Sequence, residues 1–144
     1  NNIRVKVIGN KAGLSEKIQK SIIALEDASR NNTGLKLQVA INYGGRDEII
    51  RAVKAIANDV KMNKINIDNI DEDSFRKYLD MSDIPDPDLL IRTSGELRLS
   101  NFLLWESAYT ELYTTDVLWP DFDENELRKA VEYYSSRTRK FGAI

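Results

Sequence analysis

The sequence predicts an α/β fold, a mainly parallel sheet flanked by helices. Two observations carry the prediction. Segments whose apolar residues alternate with period two take turns with segments whose apolar residues recur every three or four. Such alternation builds strand–helix–strand units with parallel pairing. In addition, 42% of the 144 residues are hydrophobic, enough to bury a core in one domain of ordinary size.

Ile3, Val5 and Val7 alternate with Arg4 and Lys6, the period of a half-buried strand. Gly9-Asn10-Lys11 breaks it. Ser15 is placed to cap a helix in which Ile18, Ile22 and Leu25 fall on one face, and Asn31-Asn32-Thr33-Gly34 stops that helix. Leu35, Leu37, Val39 and Ile41 alternate again as a second strand. Gly44-Gly45 turns the chain into a helix with Ile49, Ile50, Val53, Ile56, Ala57 and Val60 on its apolar face.

A linker from Asn63 to Asn69 leads to a short helix capped by Asp71, with Ile70 and Phe75 as a hydrophobic staple. The stretch from Asn66 to Asp88 carries eight acids against two bases and reads as a solvated loop, ended by Pro85 and Pro87. Leu89-Leu90-Ile91 reads as a buried strand. The loop from Arg92 to Leu99 leads to a helix that Ser100 would cap, and a short extra strand is expected around Val117 to Trp119. Asp123 and Glu126 open a last helix, stapled by Phe122 and Leu127, with Leu127, Val131, Tyr134 and Phe141 along one face. The chain opens Asn1-Asn2 without an initiator Met and offers three good strands, so further sequence is expected upstream to complete the sheet.

Composition removes several function classes. There is no cysteine and no histidine, which excludes disulfides, thiol catalysis, zinc–thiolate and imidazole metal sites, and a Ser-His-Asp triad. Chemistry must use carboxylates, hydroxyls, Lys and Arg, and any metal would be a hard cation held by oxygen. The formal charge of −2 lacks the basic surplus of a nucleic-acid binder. No apolar run approaches membrane-spanning length and no signal-peptide pattern shows.

In open parallel sheets, ligands bind outside the carboxyl ends of the strands. Two loops qualify, Asn42 to Asp47 and Arg92 to Ser100. The first reads as a plain strand-to-helix turn. The second sets Arg92 and Arg98 six residues apart and ends at a hydroxyl residue. Planar guanidinium donors and the N–H groups of a helix start suit a phosphate or diphosphate. On spacing alone, the two arginines fit equally well as ion-pair partners of Glu96 or of the acidic linker. Glu111, taken alone, reads as a solvated acid. Arg137, Arg139 and Lys140 complement the dipole of the last helix. Trp105, Tyr109, Tyr113 and Trp119 read as core or interface aromatics.

The run Asp88-Leu-Leu-Ile-Arg-Thr-Ser-Gly-Glu-Leu-Arg-Leu-Ser-Asn-Phe-Leu-Leu-Trp105, continued by Tyr109, Glu111-Leu-Tyr113 and Asp116-Val-Leu-Trp-Pro-Asp-Phe122, closely resembles the C-terminal signature of cis-prenyltransferases. It is most similar to the bacterial branch that makes undecaprenyl diphosphate. Asn42-Tyr43-Gly44-Gly45-Arg46 and Arg139-Lys140-Phe141-Gly142 match that family as well. The resemblance spans residues 1–144, as the C-terminal portion of a single domain.

The resemblance implies a Mg2+-dependent condensation of isopentenyl diphosphate with an allylic diphosphate, usually farnesyl diphosphate, into a long cis-polyprenyl diphosphate. It implies a cytoplasmic homodimer with a hydrophobic tunnel and a membrane-associated product. It assigns Arg92, Arg98, Ser100 and the backbone at Leu99 to the diphosphate of isopentenyl diphosphate, Glu96 to ordering that loop, Glu111 to Mg2+ and Leu35 to the closed end of the tunnel. The family's Asp-Gly-Asn-Gly-Arg-Trp motif, which carries its other Mg2+ ligand and the allylic diphosphate site, does not occur in this sequence. The isolated chain is therefore expected to be inactive. A non-catalytic subunit of a heteromeric cis-prenyltransferase and a generic phosphate-binding α/β module are the alternative readings.

Overall fold

A computed structural model describes residues 2–138. The elements follow the order β1 (Arg4–Ile8), α1 (Glu16–Ser29), β2 (Lys36–Ala40), α2 (Gly45–Lys61), α3 (Glu72–Arg76), β3 (Leu89–Arg92), β4 (Glu111–Thr114) and α4 (Glu124–Ser135). Single 3-10 turns lie at Lys11–Gly13, Ile67–Asn69 and Trp119–Asp121. The chain divides between Pro85 and Asp86 into two compact units, each with its own two-stranded sheet. Both ladders are parallel, as the strand–helix alternation predicts.

In the first unit, β1 pairs with β2 in the register Val5↔Leu37 and Val7↔Val39. Val7 and Ile8 are buried there, with Ile22 of α1 and Ala52 and Ile56 of α2. One edge of β1 is taken by β2. The other would expose the N–H groups of Val5, Val7 and Gly9, which follow one another at the strand period and would cost free energy if buried without acceptors. Three side chains accept them. Val5 N–H donates to Ser29 Oγ at 3.1 Å, Val7 N–H to Glu26 Oε1 at 2.8 Å and Gly9 N–H to Asp80 Oδ2 at 2.9 Å. Ser29 and Glu26 sit one turn apart on α1, so the helix closes the strand edge that a neighbouring strand would otherwise fill.

Asp80 ties in further elements. Arg51 of α2 grips its carboxylate with two N–H groups at 2.8 and 2.9 Å, the paired geometry in which guanidinium binds best. The backbone N–H of Asp80 donates to the fully buried Glu48, whose other oxygen accepts from Tyr43. Lys6 donates to the Asp80 carbonyl and to the Asp83 carboxylate, both at 2.7 Å. The expectation of a solvated acidic stretch is thus corrected at Asp80, where Arg51 of α2 and the Gly9 N–H draw the carboxylate in, while Asp83 stays exposed as it pairs with Lys6.

Some sequence expectations hold. Asp71 caps α3 in a reciprocal box with Ser74, and Asp123 caps α4 through the N–H groups of Asn125 and Glu126. Ser15 stands at the N-cap of α1, although its hydroxyl makes no capping bond. Others are corrected. The buried stripe of α2 is Gly45, Glu48, Ala52 and Ile56, while Ile50 and Val53 of the expected apolar face are exposed. Packing follows the Glu48 hydrogen bonds rather than hydropathy. The extra strand falls at Glu111–Thr114 and not at Val117 to Trp119, because Pro120 imposes a 3-10 turn on that stretch. In α4, Ala130 is buried, whereas Leu127 and Val131 are exposed. Phe141, Arg139 and Lys140 lie outside the described residues.

The acid network fixes how stability varies with pH. Burial pushes the Asp80 carboxyl up, but Arg51, the Gly9 N–H and Lys6 outweigh it and hold the group below the usual aspartate range. Burial likewise opposes Lys11 and the Val7 N–H at Glu26, which ends below its ordinary value. Lys6 lowers Asp83. With folded values below unfolded ones, the unfolded chain binds more protons in the acid range. Stability is therefore full above the ordinary carboxylate range and falls as pH drops through it. Urea unfolding between about pH 7 and pH 3 checks this. Asp80→Asn should cost about 2–3 kcal/mol at neutral pH and flatten the acid limb; an acid limb as steep as that of the unaltered chain would contradict the account.

Candidate functional site

β3 ends at Arg92, and the register Arg92↔Thr114 sets the last residue of β4 beside it. The chain then leaves the carboxyl edge of the ladder as a loop whose start is held by the continuation of β4. Thr115 N–H donates to the Arg92 carbonyl at 3.0 Å, Gly95 N–H to the Thr115 carbonyl at 2.9 Å and Ser94 N–H to the Val117 carbonyl at 2.9 Å. Ser94 and Gly95 both take left-handed backbone, φ 67° and 69°. A Cβ at Gly95 would stand 2.8 Å from Asp116 Oδ1, so this position needs glycine for space and for conformation.

The far end of the loop repeats the left-handed conformation at Ser100, Asn101 and Leu103, φ 49°, 64° and 45°. These residues prevent the expected helix. Residues 100–109 form turns, closed by Phe102 N–H to the Leu99 carbonyl at 3.0 Å and Ser107 N–H to the Leu103 carbonyl at 2.9 Å. Ser100 therefore caps no helix, and no helix dipole serves the loop. Leu103, 6% exposed, anchors this end.

The structure brings Arg92 and Ser100 together, with Arg92 Nη2 3.5 Å from Ser100 Oγ across a separation of eight residues. Arg98, on the same loop, is ion-paired with Glu96 and keeps 68% of its side chain exposed. Glu96 thus holds Arg98. Leu99 is half-buried and Leu97 fully out in solvent. The loop presents two guanidinium groups, the Ser100 hydroxyl beside Arg92 and a backbone that passes through left-handed positions. It can bind an anion carrying several oxygen acceptors.

Glu111 and Leu35 stand elsewhere. Glu111 is the first residue of β4, opposite Leu89, so it lies three residues, about 10 Å, from the edge that carries the loop. It shares its face of the ladder with Leu89, Ile91 and Tyr113, whereas Arg92 and Thr114 belong to the other face. Its carboxylate accepts from Arg137 Nε at 3.2 Å. Among the described residues, no three acidic side chains gather as a metal cluster. Glu111 offers one partly buried carboxylate, and the other Mg2+ ligand that the resemblance implies lies in a motif absent from this sequence. Arg137, two residues past the end of α4, is ion-paired with Glu111. Leu35, 64% exposed, precedes β2 in the first unit and is not among the residues lining the apolar groove of Val7, Ile18, Ile22, Leu25, Val39 and Ile41.

Residues 1–142 match the prenyltransferase family model described as "Putative undecaprenyl diphosphate synthase". The chain belongs to the undecaprenyl diphosphate synthase family. It is 54% identical over 144 residues to an isoprenyl transferase of Fusobacterium nucleatum, covering 100% of this chain and 60% of that protein. It is 51% identical over 142 residues to a farnesyl-diphosphate-specific ditrans,polycis-undecaprenyl-diphosphate synthase of Francisella tularensis, covering 99% and 55%. The fold matches lavandulyl diphosphate synthase from Lavandula x intermedia, solved with dimethylallyl diphosphate, at a TM-score of 0.94 and 42% identity, over 98% of this chain and 61% of that one. A probable undecaprenyl diphosphate synthase from Campylobacter jejuni matches at a TM-score of 0.87 and 34% identity, over 99% and 64%. The chain thus spans little more than half the length of these family members.

Residues 115–117, which brace the loop, escaped sequence reasoning because they act through backbone carbonyls and amides. Gly95 was the one legible trace of that brace. Its replacement tests it. Gly95→Ala should cost about 1–2 kcal/mol from left-handed alanine alone, read by chemical unfolding. Combining it with Asp116→Ala should recover only the part due to the close contact. A Gly95→Ala variant as stable as the unaltered chain would contradict the assigned backbone.

Proposed function

We propose that this chain provides the isopentenyl diphosphate site of a cis-prenyltransferase that adds isopentenyl units to an allylic diphosphate, with farnesyl diphosphate as primer and a long cis-polyprenyl diphosphate as product. The observation that carries the reading is the convergence of Arg92 and Ser100 at the carboxyl edge of β3, with Arg98 exposed on the same loop. The naming of relatives as undecaprenyl diphosphate synthases, some of them farnesyl-diphosphate-specific, supports the substrate class.

In this reading the loop binds the substrate that keeps its diphosphate. The alkene of isopentenyl diphosphate forms the new carbon–carbon bond, the allylic partner loses its diphosphate with the bonding electron pair, and a proton leaves the extended chain. Arg92 and Arg98 neutralise the retained diphosphate and Ser100 donates to one of its oxygens. Glu96 keeps Arg98 extended from the loop rather than folded onto it. Leu99 turns the backbone between Arg98 and Ser100, and its own carbonyl is occupied by Phe102 N–H. The residues of this chain orient the nucleophile, and orientation alone supplies a large share of a bimolecular barrier. Glu111 would supply one carboxylate to Mg2+, and the family's other metal ligand is not in this sequence. The leaving diphosphate of the allylic partner therefore has no assigned holder among them.

Homodimerisation, action in the cytoplasm and a tunnel near Leu35 belong to the same proposal. No helix of the described residues is long and apolar enough to cross a membrane.

Two measurements test the reading. In an active enzyme containing this sequence, Arg98→Ala should raise KM for isopentenyl diphosphate roughly tenfold to a hundredfold, the loss of a charge-assisted contact worth about 1.5–3 kcal/mol. Arg98→Lys should recover part of it, since a point charge replaces a planar fork. Unchanged kinetics would remove the loop from the substrate site. The 144-residue chain by itself, given Mg2+, labelled isopentenyl diphosphate and farnesyl diphosphate, should yield no elongated lipid, because it lacks the Asp-Gly-Asn-Gly-Arg-Trp motif. Activity that appears only on adding a second, motif-bearing subunit would favour the heteromeric alternative.

A further inference from the structure

Ser100 stands where an anion tethered to its own hydroxyl would meet the loop's cations. Its Oγ lies 3.5 Å from Arg92 Nη2. Arg98, two residues earlier, keeps 68% of its side chain exposed while it is ion-paired with Glu96. The same stretch is accessible: Leu97 is 77% exposed, and Ser100 and Asn101 are exposed beside it. Both Ser100 and Asn101 take left-handed backbone, so the hydroxyl is carried on a turn, outside any helix or strand. A hydroxyl on an exposed loop is open to a modifying enzyme. A phosphoryl group on serine brings about −1.5 to −2 charge at neutral pH and three strong acceptor oxygens, and opposite arginine it makes charge-assisted hydrogen bonds. Such oxygens extend beyond Oγ and would bring the 3.5 Å separation from Arg92 within hydrogen-bond contact.

We propose that Ser100 is a phosphorylation switch: an ATP-dependent serine kinase transfers a phosphoryl group to its Oγ, and that group, gripped by Arg92, takes the place of a diphosphate and shuts the loop. The inference rests on the reading of the loop as the diphosphate site. In the transfer, an O–P bond forms at Ser100 Oγ and the bond from the γ-phosphorus to the bridging oxygen breaks. The electron pair of that bond goes to ADP, and the hydroxyl proton goes to the base of the kinase. The product is a phosphate fixed to the loop it fills. Its local concentration at Arg92 is set by the covalent link, whereas a free diphosphate has to be recruited from solution. The modification acts twice at one point. It removes the hydroxyl that donates to the substrate, and it adds like charge where the substrate's own charge has to sit. Glu96 is the acid on the loop that competes with the phosphoryl group for Arg98, so the grip is assigned to Arg92.

The test uses the purified chain, the same chain with phosphoserine encoded in place of Ser100, and the variants Ser100→Ala, Arg92→Gln and Arg98→Ala. Incubated with an arginine-directed serine kinase and γ-labelled ATP, the unmodified chain should take up label at Ser100, and Ser100→Ala should lose it. Absence of label at Ser100 overturns the site. Inorganic diphosphate affinity is measured by calorimetry. Ser100→Ala should weaken it about threefold, the scale of one neutral hydrogen bond, and the phosphorylated chain should lose at least about tenfold, the scale of a charge-assisted one. Equal losses in the two would overturn the block. Phosphorus NMR then follows the titration of the phosphoserine. Arg92 favours the dianion, so the midpoint should lie below the ordinary value of about 6, and Arg92→Gln in the phosphorylated chain should raise it. A midpoint that ignores Arg92→Gln overturns the grip. The phosphorylated chain should melt no lower than the unmodified one; a lower melting point would make the lost affinity a loss of fold and overturn the switch. Failure of the loop reading shows separately, as a diphosphate affinity that Arg98→Ala leaves unchanged in the unmodified chain.

Discussion

A parallel strand pair leaves an edge, and in the first unit the closing of that edge organises everything near it. Val5, Val7 and Gly9 point their N–H groups away from β2, and each needs an acceptor. The three acceptors come from places far apart in sequence: Ser29 and Glu26 from α1, Asp80 from the turn beyond α3. Once Asp80 is recruited to Gly9, its charge must be met, and Arg51 of α2 meets it with two N–H groups. Glu48 then binds the Asp80 amide, and Tyr43 binds Glu48. A single backbone requirement thus fixes the rotation of α2, the path of the acidic stretch and the position of the Asn42–Gly45 loop. It also costs hydrophobic burial, since α2 turns Glu48 inward and leaves Ile50 and Val53 exposed.

The second unit works by a related rule. Here the backbone beyond a strand, not beside it, is what must be held. The loop after β3 uses five left-handed residues in ten, a conformation that side chains other than glycine resist. It persists because Thr115 and Val117 take up the amides of Gly95 and Ser94, and because Leu103 is buried at the other end. The consequence is a loop in which Arg92 and Ser100 meet across eight residues without a helix beneath them. An anion bound there would meet guanidinium groups and backbone turns rather than a helix N-terminus.

Glu111 shows why residue identity and residue position have to be judged together. The signature places it eleven residues beyond Ser100, the end of the arginine loop, and nearness in sequence suggests nearness in space. A parallel ladder reverses that. The connection between β3 and β4 returns the chain to the starting edge, so the first residue of β4 is remote from the loop that precedes it, and the alternation of side chains puts it on the other face. The acid is then adjacent to whatever packs on that face, which is Tyr133 of α4 and Arg137 just beyond it.

The sequence by itself determined the α/β class, the parallel strands read at residues 3–7, 35–41 and 89–91, the caps at Asp71 and Asp123, and the arginine loop with its family. Those features are local: periodicity, a capping spacing, a run of motif residues. Tertiary structure alone decided the rest. Asp80 reads as a solvated acid because no window of sequence contains both the acid and the amide and guanidinium that draw it in. The fourth strand, at Glu111–Thr114, carries only Leu112 and Tyr113 as apolar residues, and pairing with β3 makes it a strand. The run after Ser100 has helix-like composition, and the backbone forgoes the helix because Ser100, Asn101 and Leu103 are held left-handed by the turn that brings Ser100 back to Arg92. Hydrogen bonds across 24 to 71 residues outweigh local propensities worth only tenths of a kcal/mol per residue, and those long-range bonds are what the linear pattern cannot display.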